Sequence, residues 1–123
     1  MSAQPVSALR IGVDGEVDDV VVEVEDDSHL RSLYALIGCR TVDVVQATAE
    51  LDVWVDDEGM FSAPVNVPAS FVLSRFGQVF QSYHGTVVVT GGVGPDGDMK
   101  PLDPAVRLVV LDLLETLAEM VQP

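Results

Sequence analysis

The stretch Leu51 to Phe71, LDVWVDDEGMFSAPVNVPASF, constrains the fold more than any other part of this chain. Leu51–Val55 is a run of large apolar residues with a single acid in it, and it reads as a strand. Asp56-Asp57-Glu58-Gly59 supplies turn residues, and Met60–Val65 reads as a short return strand. Asn66 is a helix N-cap, with Pro68 tolerated in the first turn. Ala69, Val72, Leu73 and Phe76 then form one apolar helix face, which Gly77 ends. A strand, a turn, a second strand and a helix in direct succession place a sheet with a helix on it at the middle of the fold.

The flanks extend this pattern. Residues 1–6 read as a flexible arm and 7–123 as one domain. Ser7–Val13 is a short strand, and Asp14-Gly15 is a hairpin signal. The return strand runs from Val17 to Glu25, with Val20, Val22 and Val24 on one face and Asp19, Val21, Glu23 and Glu25 on the other. Ser28 stands where an N-cap is wanted for a helix over His29–Ile37, and Gly38 where a left-handed residue ends it. Thr41–Ala47 is a strand. Thr86–Thr90 is wholly β-branched and predicts a central strand. Gly91–Lys100 is a loop, expected to be the mobile part, and Asp103 caps a last helix from Pro104 to Val121. The order ββαβββαβα predicts an α+β, single two-layer domain, a mixed or mostly antiparallel sheet with helices packed on it.

Composition narrows the function classes. Apolar residues make up 48% of the 123, enough for one real core. No apolar run approaches the roughly 18 residues of a membrane span, and no secretory signal is visible, so the expected setting is cytoplasmic. A single cysteine, Cys39, excludes an internal disulfide and a cysteine-based zinc site. Twenty acids stand against six basic residues, a net charge of −14. Asp14, Glu16, Asp18, Asp19, Glu23, Glu25, Asp26 and Asp27 follow one another with no base between them. Such a surface repels phosphates and anionic lipid, which disfavours direct nucleic acid and membrane binding and suits a partner with a basic surface.

Several short motifs in a fixed order carry a resemblance. Leu36-Ile37-Gly38-Cys39 ends a helix, and Thr41-Val42-Asp43 opens a strand with an acid two residues in. Asp57-Glu58-Gly59 forms a turn, Asn66-x-x-Ala69 starts a helix, and His84-Gly85-Thr86-Val87-Val88-Val89 leads into a valine-rich strand. From Leu33 to Leu102 this order is similar to the domain of unknown function 3846 family. The resemblance implies a protein of bacterial phages or mobile elements and brings no activity with it. Cys39 stands where relatives carry a second glycine and Thr86 where they carry aspartate, and the final helix looks like an addition to the family pattern.

The chemistry-bearing residues do not assemble into a catalytic set. Asp56, Asp57 and Glu58, like Asp96-Gly97-Asp98, lack the spacing of a calcium loop and read as solvated turns. Cys39, His29 and His84 have no nucleophile elbow or third group, and a thiol after a helix C-terminus is held neutral. Gly91-Gly92-Val93-Gly94 is not followed by a helix or by a phosphate-loop lysine. Asn66, Ser70 and Arg75 could hold a small anion, but a plain cap accounts for Asn66. No enzyme activity, metal or cofactor is therefore expected.

What remains is binding. On the last helix Val106, Val109, Val110, Leu113, Leu117 and Val121 form the expected buried stripe, which leaves Leu108 among acids and Leu111 on the flank; Phe71 points outward from the helix before. These apolar residues predict a partner interface or a homodimer. The partner-binding set is Asp19, Glu23, Glu25, Asp26, Asp27, Phe71, Leu108 and Leu111. The expected function is a small acidic accessory protein that binds and modulates a host protein. Its sharpest form is nucleic-acid mimicry against a defence or DNA-binding protein, since same-face residues on a strand recur every roughly 6.8 Å, close to the spacing of phosphates. The alternative is a sensor or carrier domain with a small ligand between the sheet and the Gly91–Lys100 loop.

Overall fold

A computed structural model describes residues 4–77 and 82–121. Five strands, β1 (Val6–Ile11), β2 (Val17–Val22), β3 (Val42–Thr48), β4 (Leu51–Asp56) and β5 (Val87–Thr90), form one sheet in the order β2-β1-β5-β4-β3. Every neighbouring pair is antiparallel. β5 is the central strand and all four of its residues are buried, as its β-branched composition predicts. The helices are α1 (His29–Ile37), α2 (Gly59–Ser62), α3 (Val67–Arg75) and α4 (Pro104–Met120).

The helices divide between the two faces of the sheet, so the α+β domain has three layers where two were expected. Strand parity shows why. Leu9, Ile11, Leu51, Val53, Val55, Val87 and Val89 pack with Ala69, Val72 and Leu73 of α3 and Val110 of α4. The alternate residues Val6, Ala8, Val22 and Val88 pack with Leu33 of α1, with Trp54 against them. A chain that fills both faces needs nearly continuous apolar strands, which is how β4 and β5 read.

The first hairpin turns at Gly15, where φ is +87°, and Asp14 Oδ1 accepts from the Glu16 backbone N–H at 3.0 Å. α1 has the expected bounds, ending at left-handed Gly38, although the Ser28 side chain makes no capping bond. α4 begins as expected, with Asp103 Oδ1 accepting from Ala105 N–H at 2.7 Å.

Two expected strands differ. Met60–Val65 is not a strand: Gly59–Ser62 is a helical turn, and among the described residues only Val65 pairs, through a single bridge to His84. Pro64 removes a ladder donor from this segment, and Asn66 draws it toward the start of α3. β2 stops at Val22, and Glu25–Asp27 form a 3₁₀ turn with Asp26 in the left-handed region at φ +55°. The parity read from sequence holds even so, with Val22 buried, Val20 and Val24 half-buried, and Asp19, Glu23 and Glu25 exposed.

Candidate functional site

β4 carries Asp52 and Trp54 on the α1 face, because Leu51, Val53 and Val55 take the other one. Thr90 of β5 lies opposite Asp52 in the ladder. Its hydroxyl oxygen accepts from Trp54 Nε1–H at 3.0 Å, which fixes the indole across the sheet. After Thr90 the chain folds back on itself. Gly91 N–H donates to the Lys100 carbonyl at 3.0 Å, Lys100 N–H to Gly92 at 2.9 Å and Gly94 N–H to Asp98 at 2.8 Å, and Val93 pairs with Met99. The Gly91–Lys100 loop thus closes on itself as an arm. It presses on the β3–β4 turn: a Cβ at Gly92 would meet the Ala49 carbonyl oxygen at 2.5 Å, and φ there is +86°.

Between this arm, the sheet and the start of α1 is a cavity of about 460 Å³, within the size range of small-ligand sites. Its apolar walls include Val6, Val24, Trp54, Val93 and Met99, and its polar groups include Gln4, His29, Asp52 and Asp98. Among the described residues no lysine or arginine lines it.

Asp52 is the unusual member. It is 3% exposed, yet among the described residues no side-chain or backbone donor outside the strand ladder is bonded to its carboxylate. Burial pushes its carboxyl above the ordinary carboxylate range. Among the described residues no fully buried side-chain oxygen lacks a partner, so the Asp52 oxygens open onto the cavity that the residue lines.

The residues predicted to bind a partner lie elsewhere. Asp19 stands on β2, on the α4 side of the sheet, where Arg107 grips it through two bonds of 2.9 and 2.8 Å. Hydrogen bonds from Arg107 hold its carboxyl below the ordinary value. Asp18, on the opposite face, pairs with Arg10 at 3.0 Å. Glu23, Glu25 and Asp26 are exposed beyond the end of β2, so the acids do not form one strand-borne row. The side chain of Asp27 lies outside the described residues. Leu108 is 64% exposed. Leu111, expected on the surface, packs against the α3–α4 core together with Val17. It follows Arg107 by one turn, and that flank of α4 is drawn onto β2. Val109, expected inside, is on the open flank and exposed. Phe71 is half-buried, whereas Phe61 of α2 is 88% exposed.

The remaining chemical candidates are structurally committed. Asn66 is fully buried: its Oδ1 accepts from Ala69 N–H at 3.0 Å, and its Nδ2 donates to the carbonyls of Ile11 and Gly85 at 3.0 and 2.8 Å. Ser70 Oγ donates to the Asn66 carbonyl and accepts from Tyr83 N–H. Asn66 and Ser70 are thus committed to holding the start of α3 to the sheet. Asp56 Oδ1 accepts from Glu58 N–H at 2.9 Å, closing the acidic turn. His84 shares hydrogen bonds with the Ala63 carbonyl and Ser82 Oγ at 3.0 and 3.1 Å. Burial first, and the Asp56 charge second, push the Cys39 thiol up. Among the described residues no three His, Cys, Asp or Glu side chains gather as a metal site, and no helix is long and apolar enough to cross a membrane.

The family profile described as domain of unknown function (DUF3846) matches residues 9–117. The chain belongs to the DUF3846 family. The match takes in the N-terminal hairpin and most of α4, so α4 is part of the DUF3846 domain and not an addition to it. No curated protein matches the chain. Among solved structures, the chain resembles part of the one titled "Crystal structure of small RNA methyltransferase HEN1", with a TM-score of 0.58 and 18% identity. The likeness covers 81% of this chain and 14% of that one, and it speaks to fold alone. Within DUF3846, the features that first suggest the family acquire physical roles here. The asparagine of Asn66-x-x-Ala69 joins α3 to the sheet, and the glycine of Asp57-Glu58-Gly59 lets the chain pass the His84 carbonyl.

Asp52, Trp54 and Thr90 are absent from the sequence-derived site. The signal for them is nonetheless present in Leu51–Val55. A strand apolar on both faces has no wet side, so the acid inside it must be buried, and parity puts Trp54 beside it.

Proposed function

We propose that this DUF3846 chain is a non-enzymatic binding domain that holds a small ligand between its sheet and the Gly91–Lys100 arm. The observation that carries this reading is Asp52, a residue only 3% exposed whose carboxylate opens onto the cavity. Drawing a carboxylate out of water is costly, and a ligand that donates hydrogen bonds to it offsets that cost. The absence of a convergent nucleophile, acid and base set around it favours binding over catalysis. The test is a fragment screen read by protein NMR. Hits should move the Trp54 indole N–H together with Val6, Val93 and Met99. Hits that gather on α2 or α4 instead, with Trp54 silent, would overturn it.

A second reading keeps the chain as an accessory protein of a phage or mobile element that modulates a host protein in the cytoplasm. It is favoured by the exposed side chains of Phe61 and Leu108 on an acidic surface of net charge −14. Either residue could anchor a basic partner or a second copy. Nucleic-acid mimicry, its narrowest form, would have to use Glu23, Glu25, Asp26 and Asp27, since Asp19 is held by Arg107. Sedimentation of the chain alone, and capture by a basic partner before and after Phe61→Asp, test this reading.

A further inference from the structure

We propose that the cavity selects a small organic cation, a flat apolar ring bearing paired N–H donors, with Asp52 as the acceptor and Trp54 as the wall. This inference rests on the ligand-binding reading and goes further, to the chemistry of the ligand.

The charged lining determines the sign. The Asp52 carboxylate borders the cavity beside His29, and among the described residues no lysine or arginine lines it. A phosphate or carboxylate ligand would place like charge beside a desolvated acid, with no arginine or lysine to offset it. A cation restores to Asp52 what burial took away. A planar donor pair suits a carboxylate best, because its two N–H groups meet both oxygens at once.

The walls determine the shape. The apolar side chains Val6, Val24, Val93 and Met99 and the indole of Trp54 surround the acid. The indole cannot turn toward a ligand to bond with it, since its N–H is already given to Thr90. What it offers is a ring surface, which attracts a flat cation through its face. Met99 is an adaptable neighbour for such a ring.

The experiment uses three probes of one shape. Benzamidine carries the amidinium, benzamide is its neutral counterpart and benzoate its anionic one. Trp54 is the only tryptophan in the chain, so its fluorescence reports the cavity without a label. Benzamidine should bind at least tenfold more tightly than benzamide, and benzoate should leave Trp54 unchanged. Its affinity should rise with pH through the titration of Asp52 and then level off, while that of benzamide stays flat. Asp52→Asn should weaken benzamidine about tenfold or more, the effect of a lost charged hydrogen bond, and weaken benzamide by a clearly smaller factor, with unchanged circular dichroism. Equal binding of benzamidine and benzamide, or of benzamidine to wild type and Asp52→Asn, overturns the cation assignment and leaves the cavity reading standing. Silence of Trp54 toward all three probes overturns the assignment as well, and if the fragment screen also leaves Trp54 unmoved, the cavity reading falls with it.

Discussion

The side-chain amide of Asn66 donates to the carbonyl of Ile11 at 3.0 Å, across 55 residues of chain. The same nitrogen donates to Gly85, and the oxygen caps α3 through Ala69. One residue thus ties the end of β1, the approach to β5 and the start of α3. Asn66→Ala should cost about 2–4 kcal/mol, the sum of a lost cap and unpaired carbonyls. Asn66→Asp keeps the cap acceptor but loses both donations. Denaturant unfolding of the two variants separates the roles: an aspartate variant as stable as wild type would show that only the cap matters.

Gly59 is required by space and not by backbone conformation. A Cβ there would lie 2.8 Å from the His84 carbonyl oxygen, and the opposing atom is backbone, which cannot swing aside. Gly59→Ala should cost about 1–3 kcal/mol by overpacking. A melting temperature equal to wild type would show that α2 can shift away from His84.

Asp52 should make the unliganded protein less stable as pH rises. Burial raises the titration of its folded carboxyl above that of an ordinary aspartate. Between the two values the folded state holds a proton that the unfolded state has released, so stability falls as pH climbs through that window and then stays low. Asp52→Asn removes the charge and should be the more stable protein at neutral pH, with the gap closing toward pH values below the ordinary carboxylate range. Thermal melts of both proteins across pH test this, and a gap independent of pH would contradict it.

Leu108 and Leu111 should behave oppositely. Leu111 packs into the core, so Leu111→Ala should lose about 1–2 kcal/mol. Leu108 is 64% exposed, so Leu108→Glu should change stability by less than about 0.5 kcal/mol. If α4 joins two copies, Leu108→Glu shifts the chain to monomer in sedimentation; an unchanged assembly state removes α4 as the interface.

Cys39 should be slow to alkylate. Its thiol is pushed up by burial and by Asp56, so little thiolate exists at neutral pH. Cys39→Ser should therefore leave ligand or partner binding unchanged, and reaction with iodoacetamide should lag behind free cysteine at pH 7.

Local sequence determined the parts of this protein whose causes are local. The Asp14-Gly15 turn, the Gly38 helix end, the Asn66 and Asp103 caps and the alternation along β2 depend on residues within one or two turns of chain. All stand where those residues place them. The same holds for the central place of β5, since four successive buried β-branched residues suit only a strand covered on both sides. Tertiary structure decided the rest. α4 is apolar around most of its circumference, so its periodicity gives an inner stripe but not which flank is covered; the Arg107–Asp19 pair and the surface of β2 selected Leu111 over Val109. Met60–Val65 follows a turn and reads as a return strand, but among the described residues it pairs through only one bridge to His84. The acid inside β4 and the Gly91–Lys100 loop were legible in the sequence, but the cavity they border was not. It exists because Asp52, Trp54, His29 and Met99, scattered along the chain, meet where α1 and the Gly91–Lys100 arm stop short of covering one face of the sheet.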